Sequence, residues 1–172
     1  MKSTIAASIA LCLLLAFSAR ANEQHPSADM IAAMHALTGL LTDGYADMYA
    51  ESAKFVEFRG MPWRGASDGV VVLYYIGGWR QGNTNTQVLA VFARNQALDV
   101  NNPVPNPYRV IAFTVVGEKG GRSIETVSVE GSSIALTGIE HGPGDPMCCP
   151  SVPVALRYTV QNHNLVLEAH GG

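Results

Sequence analysis

Two adjacent cysteines in a proline-rich loop are the residues of this chain whose types and spacing point most directly to chemistry. Cys148 and Cys149 lie in the run His141-Gly142-Pro143-Gly144-Asp145-Pro146-Met147-Cys148-Cys149-Pro150-Ser151. Adjacent α-carbons stand ~3.8 Å apart across a trans peptide, below the usual disulfide span of roughly 4.4–6.8 Å. A bond between the two sulfurs is therefore strained and easier to reduce than an ordinary disulfide. The pattern predicts a vicinal disulfide that closes a tight turn and acts as a structural clip.

Unpaired thiols are the alternative state of this pair. Pro150 favours extended backbone at Cys149, which would direct the two side chains to opposite faces and let one pack as a small apolar group. A thiol-redox site is a third interpretation, and it requires nearby positive charge to favour the thiolate. His141 and Arg157 are the residues close in sequence that could supply that charge.

The same loop contains a candidate set of metal ligands. His141, Met147, Cys148 and Cys149 are soft donors of the kind that suit Cu(I). Zinc sites separate their cysteines by two to four residues, and no second cysteine pair exists here. Copper is therefore the metal to test. The favoured interpretation, a structural vicinal disulfide, needs no cofactor.

Aromatic and basic residues around the first long apolar stretch form a second candidate site. Trp63, Arg64, Trp79 and Arg80 could together present a binding surface for another protein. The favoured interpretation is packing at the ends of a sheet, because large exposed aromatics are uncommon on monomers.

The first 21 residues are typical of a secretory signal peptide. Lys2 supplies the positive start, Ile5 to Phe17 the apolar stretch, and Ala19-Arg20-Ala21 the cleavage site. The apolar stretch is shorter than the ~20 residues of a membrane span. We therefore expect a periplasmic or secreted protein with a single β-rich domain over residues 22–172.

Charge argues against two classes of partner. Removing Lys2 and Arg20 takes the basic residues from 11 to nine against 14 acids, so the net charge becomes −5 with His neutral. The remaining Lys and Arg form no run that could grip a phosphate backbone or an anionic membrane surface. Nucleic-acid binding and a membrane span are both unexpected.

Hydrophobic periodicity predicts one helix followed by strands. Ser27 is a candidate N-cap for a helix over Ala28 to Leu41, and Tyr45 to Ala53 is ambiguous, with further helix as one reading. From Lys54 the period becomes two, which predicts eight strands: Lys54–Arg59, Val70–Ile76, Thr86–Ala93, Tyr108–Val116, Ser123–Glu130, Ser133–Glu140, Val154–Val160 and Leu165–Ala169.

Turn residues between these strands predict how they connect. The segments Glu118–Gly121, Glu130–Ser132 and Gln161–Asn164 are typical of hairpin connections, and Asn101 to Pro107 of an irregular loop. The continuously apolar Val70–Ile76 predicts a central strand covered on both faces. The expected fold is mainly β: a single antiparallel sheet or a sandwich-like domain with one N-terminal helix packed on it.

The C-terminal part also resembles a known group of sequences. Gly117 to Arg122, the His141–Pro150 block and Arg157-Tyr158 are similar to the Gly-x-x-Arg strand, the H-G-P-x-D-P-x-C-C-P segment and the basic-aromatic strand of that group. Its members are secreted and lipoprotein-type bacterial proteins of uncharacterised function. The resemblance implies fold and export and no activity.

These observations favour a non-enzymatic binding or structural module of the bacterial envelope or the secreted fraction, with an envelope protein as its partner. The alternative is a thiol-redox or copper-binding periplasmic protein that acts through Met147, Cys148 and Cys149.

Intact mass tests export and the disulfide together. The exported protein should have the mass of residues 22–172, and alkylation of the denatured, unreduced chain should leave Cys148 and Cys149 unmodified. Prior reduction should allow both to be alkylated. Two alkylated cysteines without reductant would contradict the bond, and a covalent dimer on a non-reducing gel would indicate an intermolecular bridge.

Overall fold

The stretches with a period of two form strands, and the period of three to four forms a helix. The computed structural model describes residues 26–42, 44, 46–63, 66–78, 85–95, 106–146 and 148–168, and in these ranges one helix precedes eight strands. The elements are α1 Ala28–Thr42, β1 Asp47–Trp63, β2 Ala66–Gly77, β3 Asn85–Arg94, β4 Tyr108–Glu118, β5 Arg122–Glu130, β6 Ser133–Glu140, β7 Val152–Gln161 and β8 Asn164–Leu167.

The strands form two antiparallel sheets of four. Each sheet is a simple meander, in the order β1-β2-β3-β4 for the first and β5-β6-β7-β8 for the second. The two sheets pack face to face, and α1 covers the other face of the first sheet. The predicted mainly-β fold with one N-terminal helix is therefore confirmed, in its sandwich form.

The larger apolar core lies between the two sheets. Strands β2 and β3 of the first sheet contribute Val71, Leu73, Leu89 and Val91, all at most 2 % exposed. Facing side chains come from the second sheet, where inward residues alternate along each strand except at Glu125, an extra residue in β5: Ile124, Val127, Val129, Ile134, Leu136, Leu156 and Tyr158. This burial is what joins the sheets over most of their area.

A second core lies between α1 and the first sheet. Met30, Met34 and Leu37 of the helix pack on the alternate residues of β2 and β3, among them Tyr74 and Phe92. Strand β2 is therefore buried on both faces, as its continuous apolar sequence predicted. Ser27 is the N-cap of α1, since its Oγ accepts a hydrogen bond from the Met30 N–H at 3.2 Å.

The segment from Tyr45 to Ala53, which the sequence left ambiguous, is strand from Asp47 onward. Asp47 to Ala53 belongs to β1, and the helical reading of this stretch was wrong. Its backbone pairs with β2, Asp47 opposite Gly77 and Tyr49 opposite Tyr75. A Cβ on Gly77 would stand 2.6 Å from the Tyr49 ring, so the glycine makes room for that ring. Tertiary pairing outweighs local propensity here.

The Glu118–Gly121 turn is not a hairpin connection, contrary to the prediction. It forms a tight turn, with the Gly121 N–H donating to the Glu118 carbonyl at 3.1 Å and Gly120 at φ 78°. However, β4 ends in the first sheet and β5 begins the second. The other two predicted connections, Glu130–Ser132 and Gln161–Asn164, do join paired strands.

A buried glutamine explains why the chain changes sheets at this turn. Gln87 on β3 is 1 % exposed, and its Nε2 donates to the Ile124 carbonyl at 2.8 Å while its Oε1 accepts the Ile124 N–H at 2.6 Å. The side-chain amide thus bonds to β5 as a neighbouring strand would. A Cβ on Gly117 would clash with the Gln87 side-chain oxygen, so the glycine leaves this position clear. We call the Gln87–Ile124 pair the amide bridge.

One extra residue in β4 and one in β5 lie next to the amide bridge. Val116 is an extra residue in β4, between the pairs Gln87–Gly117 and Val88–Val115. Glu125 is an extra residue in β5, between the pairs Ile124–Gly138 and Thr126–Thr137. Such bulges bend a strand and leave backbone groups unpaired. The amide bridge satisfies those of Ile124 on the edge of the second sheet.

Some predicted segments lie outside the described residues, namely residues 1–21 and Asn101 to Pro105 of the proline-rich loop. Over the part of the chain that the structure does describe, no helix has the length and apolar character needed to cross a bilayer.

Replacing Gln87 by Leu should destabilise the protein by about 2–4 kcal/mol, because a buried N–H and a buried C=O of Ile124 lose their partners. Urea unfolding measures this change. The matched control is Gln161→Leu at an exposed strand end, which should stay within about 0.5 kcal/mol of the original protein. Equal effects of the two substitutions would contradict the role of the amide bridge.

Tyr74 should make the protein sensitive to alkaline pH. Burial beneath α1 raises the pKa of Tyr74 to about 12, only partly offset by the Thr38 hydroxyl. Because the folded pKa exceeds the unfolded value near 10, this contribution to stability is complete below pH 10 and is lost as the pH rises to about 12. The loss is about 2–3 kcal/mol. Unfolding free energies measured across this range should fall less steeply for Tyr74→Phe, and identical slopes would contradict the assignment.

Candidate functional site

The loop between β6 and β7 contains most of the residues to which the sequence assigned chemistry. It runs from His141 to Ser151 at one end of the second sheet. Two backbone turns shape it: the Asp145 N–H donates to the Gly142 carbonyl at 3.2 Å, and the Cys149 N–H to the Pro146 carbonyl at 2.9 Å. We call this segment the Cys-Cys loop.

A single carboxylate holds the two ends of the Cys-Cys loop together. Asp145 Oδ2 accepts hydrogen bonds from the backbone N–H groups of Gly142, at 2.8 Å, and Ser151, at 2.9 Å. The Ser151 hydroxyl also donates to Asp145 Oδ1 at 2.8 Å. The Gly142 hydrogen bond, followed by that of the Ser151 hydroxyl, lowers the pKa of Asp145. The side chain is therefore ionised when it forms these bonds.

Cys148 and Cys149 are joined as a vicinal disulfide in the structure, with their α-carbons 3.8 Å apart. Both residues are exposed, and neither packs in either apolar core. The alternative in which one cysteine packs as a buried apolar group does not match this placement. The bond therefore lies at the surface of the loop.

A cleft of about 520 Å³ lies where the Cys-Cys loop meets the turn between β4 and β5. Cys148, His141 and Pro150 contribute the loop side of this cleft. The rest of the lining comes from β2, β3, the turn and the adjoining strands: Tyr75, Asn85, Gln87, Glu118, Lys119, Gly120, Gly121, Arg122, Ser123 and Ile139. Gln87 thus forms part of the cleft as well as joining the sheets.

Two contacts fix the start of the Cys-Cys loop against the β4–β5 turn. Arg122 donates through Nε and Nη2 to Glu140 Oε2, at 3.0 and 2.8 Å. The His141 N–H donates to the Gly121 carbonyl at 3.2 Å. Arg122 also opposes the effect of burial, which raises the pKa of Tyr158. These contacts hold the first residues of the Cys-Cys loop beside the turn.

The predicted metal ligands are only partly brought together. His141 and Cys148 line the same cleft, whereas Met147 lies outside the described residues. The two sulfurs bond each other, so neither is a thiolate ligand in this state. Within the described ranges, no group of three or more His, Cys, Asp or Glu side chains has a metal-binding arrangement.

Trp63 is a core residue, which agrees with the favoured packing interpretation and removes it from the candidate binding surface. It is 4 % exposed, packs edge-on against Phe58 with ring centroids 4.7 Å apart, and donates through Nε1 to the Ser132 carbonyl at 3.0 Å. Its large apolar ring is better buried between the sheets than left in water. The other members of that surface, Arg64, Trp79 and Arg80, lie outside the described residues.

Sequence reasoning did not identify Asp145, Ser151 or Gln87 as parts of the site. An Asp inside a Gly-Pro-Gly-Asp-Pro run is a recognised turn signal, because its carboxylate can bind nearby backbone N–H groups. No comparable signal marks Gln87, whose role depends on where β5 crosses β3 in space.

The chain matches none of the family models, curated proteins or solved structures with which it was compared. The resemblance to the group that carries H-G-P-x-D-P-x-C-C-P therefore stays an expectation based on the motif.

Replacing Ser151 by Ala should raise the pKa of Asp145 toward its ordinary value, because the hydroxyl bonds are lost. A carboxylate with a lowered folded pKa contributes stability above its ordinary pKa, and that contribution disappears as the pH falls through the folded value. An NMR titration of the Asp145 carboxyl carbon measures the shift. Ser128→Ala, on β5, is the control and should leave the titration unchanged. An unchanged midpoint in Ser151→Ala would contradict the arrangement.

Proposed function

We propose that this is an exported, non-enzymatic binding protein of the bacterial envelope or the secreted fraction, and that the Cys-Cys loop and its cleft form the recognition site. The observation that carries the proposal is the exposed loop held in one shape by Asp145 beside an open cleft. The partner is another envelope protein, of which one segment enters the cleft.

Rigidity of the loop supports binding. Ordering a mobile loop on association costs free energy, so a loop that is already ordered binds more tightly for the same contacts. The Asp145 carboxylate and the prolines at 143, 146 and 150 restrict this loop before any partner arrives. Recognition loops on rigid sandwiches commonly have this character.

The chemistry of the cleft suits a peptide segment. Its lining combines the half-exposed ring of Tyr75, the ion-paired Arg122 and the carboxylate of Glu118 with glycine backbone at positions 120 and 121. Aromatic surface beside hydrogen-bonding groups is typical of sites that bind protein side chains.

Export is the second part of the proposal. The segment over residues 1–21 has the pattern of a signal peptide, and a disulfide persists in oxidising compartments such as the periplasm. Both features support a site that works outside the cytoplasm.

Affinity capture from envelope extract tests the recognition site. The immobilised mature chain should retain a specific protein that Asp145→Ala loses, because a methyl group cannot accept the hydrogen bonds of the Gly142 and Ser151 N–H groups. Glu125→Ala is the matched control, since it removes an exposed carboxylate away from the loop. Capture that is equal for both variants, or no specific capture, would contradict the proposal.

A further inference from the structure

The Cys148–Cys149 bond contributes little to the stability of its loop. Asp145 joins Gly142 to Ser151 by hydrogen bonds that do not involve either cysteine. The ring between adjacent residues closes almost no chain, so it adds little of the loop entropy by which disulfides usually stabilise proteins. Both cysteines are exposed, and neither supports an apolar core. The bond is therefore open to chemistry from outside.

The two sulfurs differ in their surroundings. Of the pair, Cys148 is the one that lines the cleft, which the charged side chains of Glu118, Lys119 and Arg122 also line. A thiol that enters the cleft thus meets Cys148 before it meets Cys149.

We propose that the vicinal disulfide is a thiol-exchange site and that Cys148 is its reacting sulfur. A thiolate from a small thiol or a partner protein attacks Cys148 Sγ, forms a mixed disulfide there and releases Cys149 as a thiolate. A second thiolate, from a second molecule of the small thiol or from the same partner protein, then attacks the reductant sulfur of that mixed disulfide and releases the Cys148 thiolate. The protein disulfide gains two electrons, and the two reductant thiols lose them as they form a disulfide with each other.

Adjacency makes this exchange favourable. The α-carbons stand 3.8 Å apart, below the span that an unstrained disulfide adopts. Strained and exposed disulfides have more oxidising potentials and are the ones that glutathione or a protein dithiol reduces. In the reduced state the Asp145 bonds still hold the loop, so the two thiols stay close enough to be reoxidised.

Reduction of the native mature chain by glutathione tests the exchange. Intact mass after acid quenching should show loss of the disulfide at a rate similar to that of the chain unfolded in urea, because folding does not shield the bond. A native disulfide that survives while the unfolded one is reduced would overturn the proposal.

Two single variants test which sulfur reacts. Oxidised glutathione should modify Cys148 in Cys149→Ser severalfold faster than Cys149 in Cys148→Ser, because Cys148 is the sulfur of the pair that lines the cleft and modification is the reverse of the second step. Equal rates, or faster modification of Cys149, would overturn the assignment. Circular dichroism of both variants, and of the double serine variant, should match the original protein.

These measurements use the isolated chain and glutathione, whereas capture of a partner uses extract without added thiol. Failure of the exchange site and failure of the recognition site are therefore distinguished, because each experiment proceeds without the other.

Discussion

The amide bridge between Gln87 and Ile124 is the interaction on which the arrangement of this protein depends. Hydrophobic burial brings two sheets together without direction, but it does not fix how the chain passes from one to the other. The bridge does so, because one buried side chain both donates to and accepts from the backbone of β5. A buried amide with both groups satisfied is directional, and an unsatisfied one is costly. This difference selects one orientation of β5 over its alternatives.

The candidate site follows from that orientation. Once Ile124 is fixed against β3, the turn at Gly120 and Gly121 stands over the end of the first sheet. Pairing of β5 with β6 then brings Arg122 opposite Glu140, and the Cys-Cys loop leaves β6 directly beside the turn. The cleft is the space between these two segments, and it exists because the sheets meet at this corner.

The sequence reveals most of the strands and little of how the two sheets join. Runs of apolar and β-branched residues identify β2 and β3, and the N-cap at Ser27 identifies the start of α1, since each signal is local. The turn at Glu118–Gly121 has the same local signature whether its strands pair or separate, so the hairpin prediction fails there. Trp63 shows a similar ambiguity, because an aromatic ring has the same sequence context in a core and on a surface. The partners of Gln87 lie 37 residues away, beyond any local pattern.

The candidate site was also only partly predictable from the sequence. The adjacent cysteines are evident from the sequence. The carboxylate that holds their loop lies only a few residues away, but its hydrogen bonds to Gly142 and Ser151 depend on how the loop folds. Which sulfur faces the cleft depends on the β4–β5 turn, and that turn depends on the amide bridge. Residue types in the sequence therefore indicate a reactive disulfide. Which of its sulfurs lines the cleft is decided by how the two sheets meet.

Hydrogen exchange at one backbone amide tests this account most directly. Ile124 lies on an edge strand, where an N–H without a strand neighbour would exchange quickly with solvent. If Gln87 accepts that N–H in the core, its exchange in NMR should be as slow as that of the central strands and should require global unfolding. Exchange of the Ile124 amide at the rate of an unprotected edge amide would contradict the account.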